Sequence, residues 1–272
     1  MKTKKLVIPI DFTDATQKAL DYAVQFSTGT HHDLILLHIA ENIKEDIAKI
    51  KLQQYADKAL ANYPGTFEVK ILEGKVTEQI GNFADSIDAD YIIMGIHENS
   101  RLEKLFGSKA IDVISRSKVP FIIVQNGTAF QAIRKIAMTI DLETESIQVV
   151  KSAADLAHEL GAELVLVAGD HHDADLRQKI TNNMRVALEF LEKHEVKSSI
   201  RLLERKNFFE DFITYCQQEQ IDLIAVTYYI NTFQLLSTKF VQHLLANDLK
   251  IPVLTIEAKA LASGPQFSFI TT

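Results

Sequence analysis

The chain repeats itself. Lys5-Leu6-Val7-Ile8-Pro9-Ile10-Asp11 is matched 130 positions later by Lys135-Ile136-Ala137-Met138-Thr139-Ile140-Asp141. The offset holds without a gap through Leu34-Ile35-Leu36-Leu37 against Leu164-Val165-Leu166-Val167. It has grown to 132 by Asp90-Tyr91-Ile92-Ile93 against Asp222-Leu223-Ile224-Ala225, and is still 132 at Val119-Pro120 against Ile251-Pro252. A period this long marks a duplicated domain, since solenoid repeats run to only about 20–50 residues. The turn-like Asn126-Gly127-Thr128 is the joint, which sets the copies at 1–127 and 130–258 with a tail at 259–272.

Each copy alternates short apolar runs with amphipathic segments. In the first, strands are expected near 5–10, 34–39, 66–72, 90–94 and 120–124, and helices near 14–28, 42–62, 76–87 and 108–117. Ala19, Tyr22, Ala23 and Phe26 recur at helical spacing, while the strands are continuously apolar, as strands covered on both faces must be. Strand–helix alternation implies parallel pairing with right-handed crossovers. The expected fold class is therefore α/β: two tandem doubly wound, five-stranded parallel-sheet (Rossmann-like) domains. Ligands of such sheets settle beyond the carboxyl ends of the strands, where the strand order reverses. Asp11 ends the first strand and Gly95 the fourth, so both would face that crevice if these strands are neighbours.

Composition narrows the partners. A net charge of −7 argues against nucleic acid, which needs a basic surface. No apolar stretch approaches the roughly 20 residues of a membrane span, and MKTKKLVIPIDFTD lacks a signal-peptide plan. The single cysteine, Cys216, excludes an internal disulfide framework and fits a reducing cytoplasm; in the helical pattern Phe212, Tyr215, Cys216 it reads as a small buried hydrophobe. A cytoplasmic two-domain protein is expected.

Five strings in order now carry a resemblance: Val7-Ile8-Pro9-Ile10-Asp11-Phe12, Leu36-Leu37-His38-Ile39, Ile93-Met94-Gly95-Ile96-His97, Gly107-Ser108, and Val119-Pro120-Phe121-Ile122-Ile123-Val124. Together they resemble the universal stress protein family, over the whole first copy and more weakly over the second. The resemblance implies a stress-response role, and in some members ATP binding through Gly, two residues, Gly, nine residues, then Gly-Ser or Gly-Thr. Gly95 matches the first glycine and Gly107-Ser108 the last pair; Asp11 matches the adenine-contacting aspartate, and Ile39 a position lining the adenine pocket. His97 lies in the same loop, within reach of a phosphate.

The loop departs from the pattern. Glu98 stands at the middle glycine, and eight residues rather than nine separate it from Gly107. A carboxylate about 4 Å from a phosphate charge costs roughly 4 kcal/mol at a surface-like dielectric, several hundredfold or more in affinity. Losing the glycine also restricts φ where backbone must approach phosphate. Swung into solvent, Glu98 would escape that cost; meeting the triphosphate through Mg²⁺, it would reverse the sign. The loop is thus either a live nucleotide site, with ATP in the first copy alone as cofactor, or a vestige. The second copy's equivalent stretch, Val226-Thr227-Tyr228-Tyr229-Ile230-Asn231-Thr232-Phe233, has no glycine and offers bulky rings where phosphates need room, so it is not expected to bind ATP. Its Asp141 is expected to cap the following helix.

Other candidates have plainer readings. Gly169-Asp170-His171-His172-Asp173-Ala174-Asp175 offers imidazoles and carboxylates suited to zinc. Its simpler reading is a polar loop capping a helix, so no metal is expected. His38 is expected to be structural. No Gly-x-Ser-x-Gly, Walker loop or His-Glu-x-x-His occurs, so no catalytic residue is named. The tail's Phe267, Phe269 and Ile270 suggest a strand added to a sheet edge, within the chain or across a dimer, or else a disordered end. The copies are expected to form an intrachain pseudo-dimer through Phe121–Val124 and Val253–Ile256, with a homodimer also open. The leading expectation is a non-enzymatic stress-response protein acting through protein partners, with a degenerate nucleotide site in the first copy; the alternative is an ATP-binding protein with weak ATPase or nucleotide-dependent activity.

Overall fold

The structure, a computed structural model, describes residues 3–40, 45–61, 63–96, 110–228 and 235–258. The chain divides into two compact units, Met1–Phe130 and Gln131–Thr272. The first unit holds β1 (Lys5–Pro9), α1 (Asp14–Thr30), β2 (Asp33–Ala40), α2 (Glu45–Ala59), β3 (Phe67–Glu73), α3 (Val76–Ser86), β4 (Tyr91–Ile96), a helix α4 described over residues 110–114, and β5 (Phe121–Gln125). Its strands lie in the order β3-β2-β1-β4-β5, all parallel. The order reverses between β1 and β4, where Leu6 pairs with Tyr91 and Val7 with Ile92. Leu6, Val7 and Ile8 are fully buried, as a strand covered on both faces requires, and each contributes about 1.5–3 kcal/mol of burial.

The second unit repeats the plan with β6 (Lys135–Thr139), a 3₁₀ turn (Thr144–Val149), α5 (Val150–Leu160), β7 (Glu163–Asp170), α6 (Ala174–Lys193), β8 (Ser198–Glu204), α7 (Phe208–Gln218), β9 (Leu223–Tyr228), α8 (Leu235–Leu245) and β10 (Val253–Glu257). Its order is β8-β7-β6-β9-β10, again all parallel. This is the α/β architecture expected for both halves.

One device recurs in both units. Asp90 Oδ2 accepts the backbone N–H of Lys5 at 2.7 Å, and Asp222 Oδ2 accepts those of Arg134 and Lys135 at 2.8 and 3.0 Å. The carboxylate before the fourth strand thus satisfies amides at the start of the first, pinning their register at the switch point. Among the described residues no helix is long and apolar enough to cross a membrane.

Candidate functional site

The end of β1 sets the site. Asp11 Oδ1 accepts from the Thr13 N–H at 3.0 Å and from the Thr13 hydroxyl at 2.5 Å. Thr13 in turn caps α1, its side chain accepting from Thr16 N–H, and Asp14 adds negative charge to the first turn. Between them Phe12 adopts φ +66°, a left-handed conformation that costs a side-chain-bearing residue about 1–2 kcal/mol. Its ring is held by His38 (centroids 4.9 Å), by the edge of Tyr55 (5.6 Å) and by Lys51 Nζ 4.0 Å from its centroid. Those contacts stabilise the bend that leaves the Asp11 carboxylate exposed at the strand end.

Gly95, on β4, sits beneath this turn. A Cβ there would lie 2.0 Å from the Ala15 carbonyl oxygen and 2.5 Å from its carbon. The first turn of α1 therefore rests on β4 at a distance that only glycine permits.

Above these strand ends lies a cavity of about 200 Å³. Asp11 and Thr16 line it from the α1 side, Ile39 and Leu37 from β2, Met94 and Gly95 from β4, Val76 and Ile80 from α3, and Ala110 and Val113 from α4. Among the described residues its walls are apolar except at Asp11, Thr16 and His38, and the Thr16 hydroxyl donates to the Thr13 carbonyl at 3.0 Å. Three of the six residues selected from the sequence, Asp11, Ile39 and Gly95, converge on this one cavity. The other three, His97, Gly107 and Ser108, lie outside the described residues, as do Glu98, Tyr229, Phe233 and the tail from 259. Sequence reading missed the α3 and α4 walls. The i, i+4 pair Val76 and Ile80 was the available signal, and it reads as ordinary core in a sequence.

His38 has the structural role expected of it. Its Nδ1 lies 2.7 Å from the Ile10 carbonyl, which fixes Nδ1 as the donor, and its ring packs on Phe12. It braces the turn that carries Asp11.

The Universal stress protein family profile matches residues 2–125. Two universal stress proteins of Methanocaldococcus jannaschii are each 29% identical. One match covers 45% of this chain and 94% of the relative, the other 45% and 82%. Over its first unit the chain is therefore similar to the universal stress protein family. Among solved structures, a universal stress protein of Archaeoglobus fulgidus superposes with a TM-score of 0.73 at 16% identity, over 94% of this chain and 99% of that one. A functionally unknown protein of Pseudomonas aeruginosa gives 0.62 at 14%, over 99% and 95%. At those identities the likeness is one of fold, and it extends through both units.

In the second unit a side chain stands at the position that corresponds to Gly95. Thr227 stands where the 132-residue offset puts the counterpart of Gly95. The Thr227 hydroxyl donates to the Ser146 carbonyl at 2.8 Å and accepts from Val149 N–H at 3.2 Å. A side chain here excludes the close helix approach seen in the first unit, and the segment after β6 opens as the 3₁₀ turn Thr144–Val149. Asp141 does not cap a helix as expected: its Oδ1 accepts from Glu143 N–H at 2.8 Å, and the residue at the cap position is Glu143, with no side-chain cap bond. The carboxylate closes a local turn because the helix start has moved away. Asn183 ties this loop down by donating to the carbonyls of Asp141 (2.9 Å) and Glu143 (3.1 Å).

In the histidine loop Asp173 caps α6, its Oδ1 accepting from Asp175 and Leu176 N–H at 3.0 Å each. His171 is buried with Nδ1 unpartnered, and burial, then the Arg205 cation, lowers its pKa from the ordinary histidine value. Cys216 is buried and its thiol is pushed up to about 12 by desolvation, which makes it an inert hydrophobe at neutral pH.

Proposed function

We propose that this chain is a tandem universal stress protein: a non-enzymatic, cytoplasmic stress-response protein that works through protein partners, with a nucleotide site confined to its first unit and degenerate in its phosphate-holding loop. The observation that carries the reading is the convergence of Asp11, Ile39 and Gly95 on one apolar cavity at the strand-order reversal. The Asp11 carboxylate, fixed by Thr13 through Oδ1, accepts hydrogen bonds from an adenine or ribose donor, and Ile39 and Met94 supply apolar surface for the ring. The second unit contributes no nucleotide site in this reading, because Thr227 occupies the space that Gly95 leaves bare.

Calorimetric titration of the purified protein with adenine nucleotides tests it. One site per chain is expected, weakened about tenfold or more by Asp11→Ala, the loss of a charge-assisted hydrogen bond, and unchanged by Thr227→Val. Absence of binding would refute the reading. Steady ATP turnover above background, lost in Asp11→Ala, would replace it with an enzymatic one.

A further inference from the structure

We infer that residues 267–271 of the tail pair with the open edge of β8 as an antiparallel sixth strand of the second unit. In that unit the strands run β8-β7-β6-β9-β10, so β8 has one neighbour, β7. Leu164 N–H donates to the Lys197 carbonyl at 2.9 Å, which turns the main chain of Lys197, Ser199, Arg201 and Leu203 toward β7. The N–H and C=O groups of Ile200 and Leu202 therefore face outward, and their side chains are 48% and 49% exposed. They project from the face opposite α7, because the Arg201 guanidinium lies 5.7 Å from the Tyr215 ring on that helix. The matching strand of the first unit, β3, is defended. Its exposed residues are Glu68, Lys70 and Glu73, and Phe67, Val69, Ile71 and Leu72 are partly covered. An edge that offers open amides beside an aliphatic pair is a template for another strand.

Reach, spacing and charge favour the tail as the occupant. Ala258 N–H donates to the Tyr228 carbonyl at 2.6 Å, so the chain stays in the sheet to residue 258, at the carboxyl end of β10. All strands of the unit are parallel, so the carboxyl end of β8 lies on the same side. The position beyond β8 is five strand spacings from β10, about 24 Å, and an extended stretch from residue 258 to residue 267 reaches ~30 Å. The tail then enters beside Glu204 and runs antiparallel. Phe267 falls opposite Leu202, Phe269 opposite Ile200 and Thr271 opposite Ser198, so two phenyl rings cover the two exposed aliphatic side chains. Ser268 meets Arg201, and from residue 261 on no charged side chain opposes the pairing. A second copy of β8 fits less well: the antiparallel register that lays Ile200 on Leu202 puts Arg201 opposite Arg201.

The test is amide hydrogen exchange of the full chain, read residue by residue by NMR, in the wild type and in Phe267→Asp/Phe269→Asp. The Ile200 and Leu202 amides are expected to be protected in the wild type and to exchange about tenfold faster or more in the variant. The Leu203 amide, turned toward β7, is the internal control and should exchange alike in both. Wild-type exchange at Ile200 and Leu202 as fast as in an unfolded peptide would overturn the inference. Protection that rises with protein concentration, together with a doubled mass in light scattering, would overturn it too and assign the edge to a second copy.

Discussion

Replacing Gly95 with alanine puts one methyl group where the structure has no room for it. The added Cβ would meet the Ala15 carbonyl oxygen at 2.0 Å, its carbon at 2.5 Å and the Thr16 nitrogen at 3.2 Å. Ordinary C···O contacts run to about 3.3–3.6 Å, so backbone must separate by roughly 1.3 Å. The obstacle is main chain, and Ala15 and Thr16 are themselves buried, so no flexible side chain yields. Overpacking of this kind costs about 1–3 kcal/mol and occasionally more. Against it stands the lower unfolded-state entropy of alanine, which returns about 0.4–1 kcal/mol. Moving α1 outward would also disturb the Asp11–Thr13 bonds, so a net loss of about 2–3 kcal/mol is expected. For a unit of this size that lowers Tm by roughly 10 °C, read by scanning calorimetry with the two units fitted as separate transitions. On the proposed nucleotide reading, binding of adenine nucleotides should weaken as well, since Asp11 and Thr16 move with the turn. A drop of less than about 2 °C would refute the argument, because it would mean that α1 can leave β4 at almost no cost.

Thr227→Val keeps the shape of its side chain but strands the Val149 amide and the Ser146 carbonyl, and urea unfolding should report a loss of about 1–3 kcal/mol confined to the second unit. Cys216, with its thiol at about 12, should resist a disulfide reagent at pH 8 in the native protein and react at once in denaturant. His171 has a folded pKa below its unfolded value of about 6.5, so between those two values the unfolded chain binds a proton that the folded one does not; stability should be full above about 6.5, fall as pH drops through that window, and fall less in His171→Asn.

The strands were legible because each is a continuous apolar run, and burial on both faces enforces that pattern: the expected 5–10 and 120–124 are observed as Lys5–Pro9 and Phe121–Gln125. The register-pinning aspartates also showed as a repeat, Asp90 against Asp222, because backbone amides at the start of the first strand need a partner in each copy. The 3₁₀ turn at Thr144–Val149 was not legible, since its cause is Thr227, some 80 residues away, acting through two hydrogen bonds. The same holds for the cavity wall. Val76 and Ile80 repeat at helical spacing whether they face a packed core or an open cavity, and only the placement of α3 beside the strand ends distinguishes the two.

That distant control changes what a glycine at position 95 means. In the sequence it reads as the start of a phosphate-binding loop, and its absence from the second copy reads as loss of that loop. In the structure its first duty is to the helix: α1 begins as a capped α-helix pressed on β4 because nothing projects from residue 95. Where threonine stands instead, its hydroxyl is absorbed by Ser146 and Val149, and the segment starts in a different helical form. Position 95 or 227 thus decides how the first helix meets the fourth strand, and in the first unit that meeting sets where Asp11 stands over the cavity.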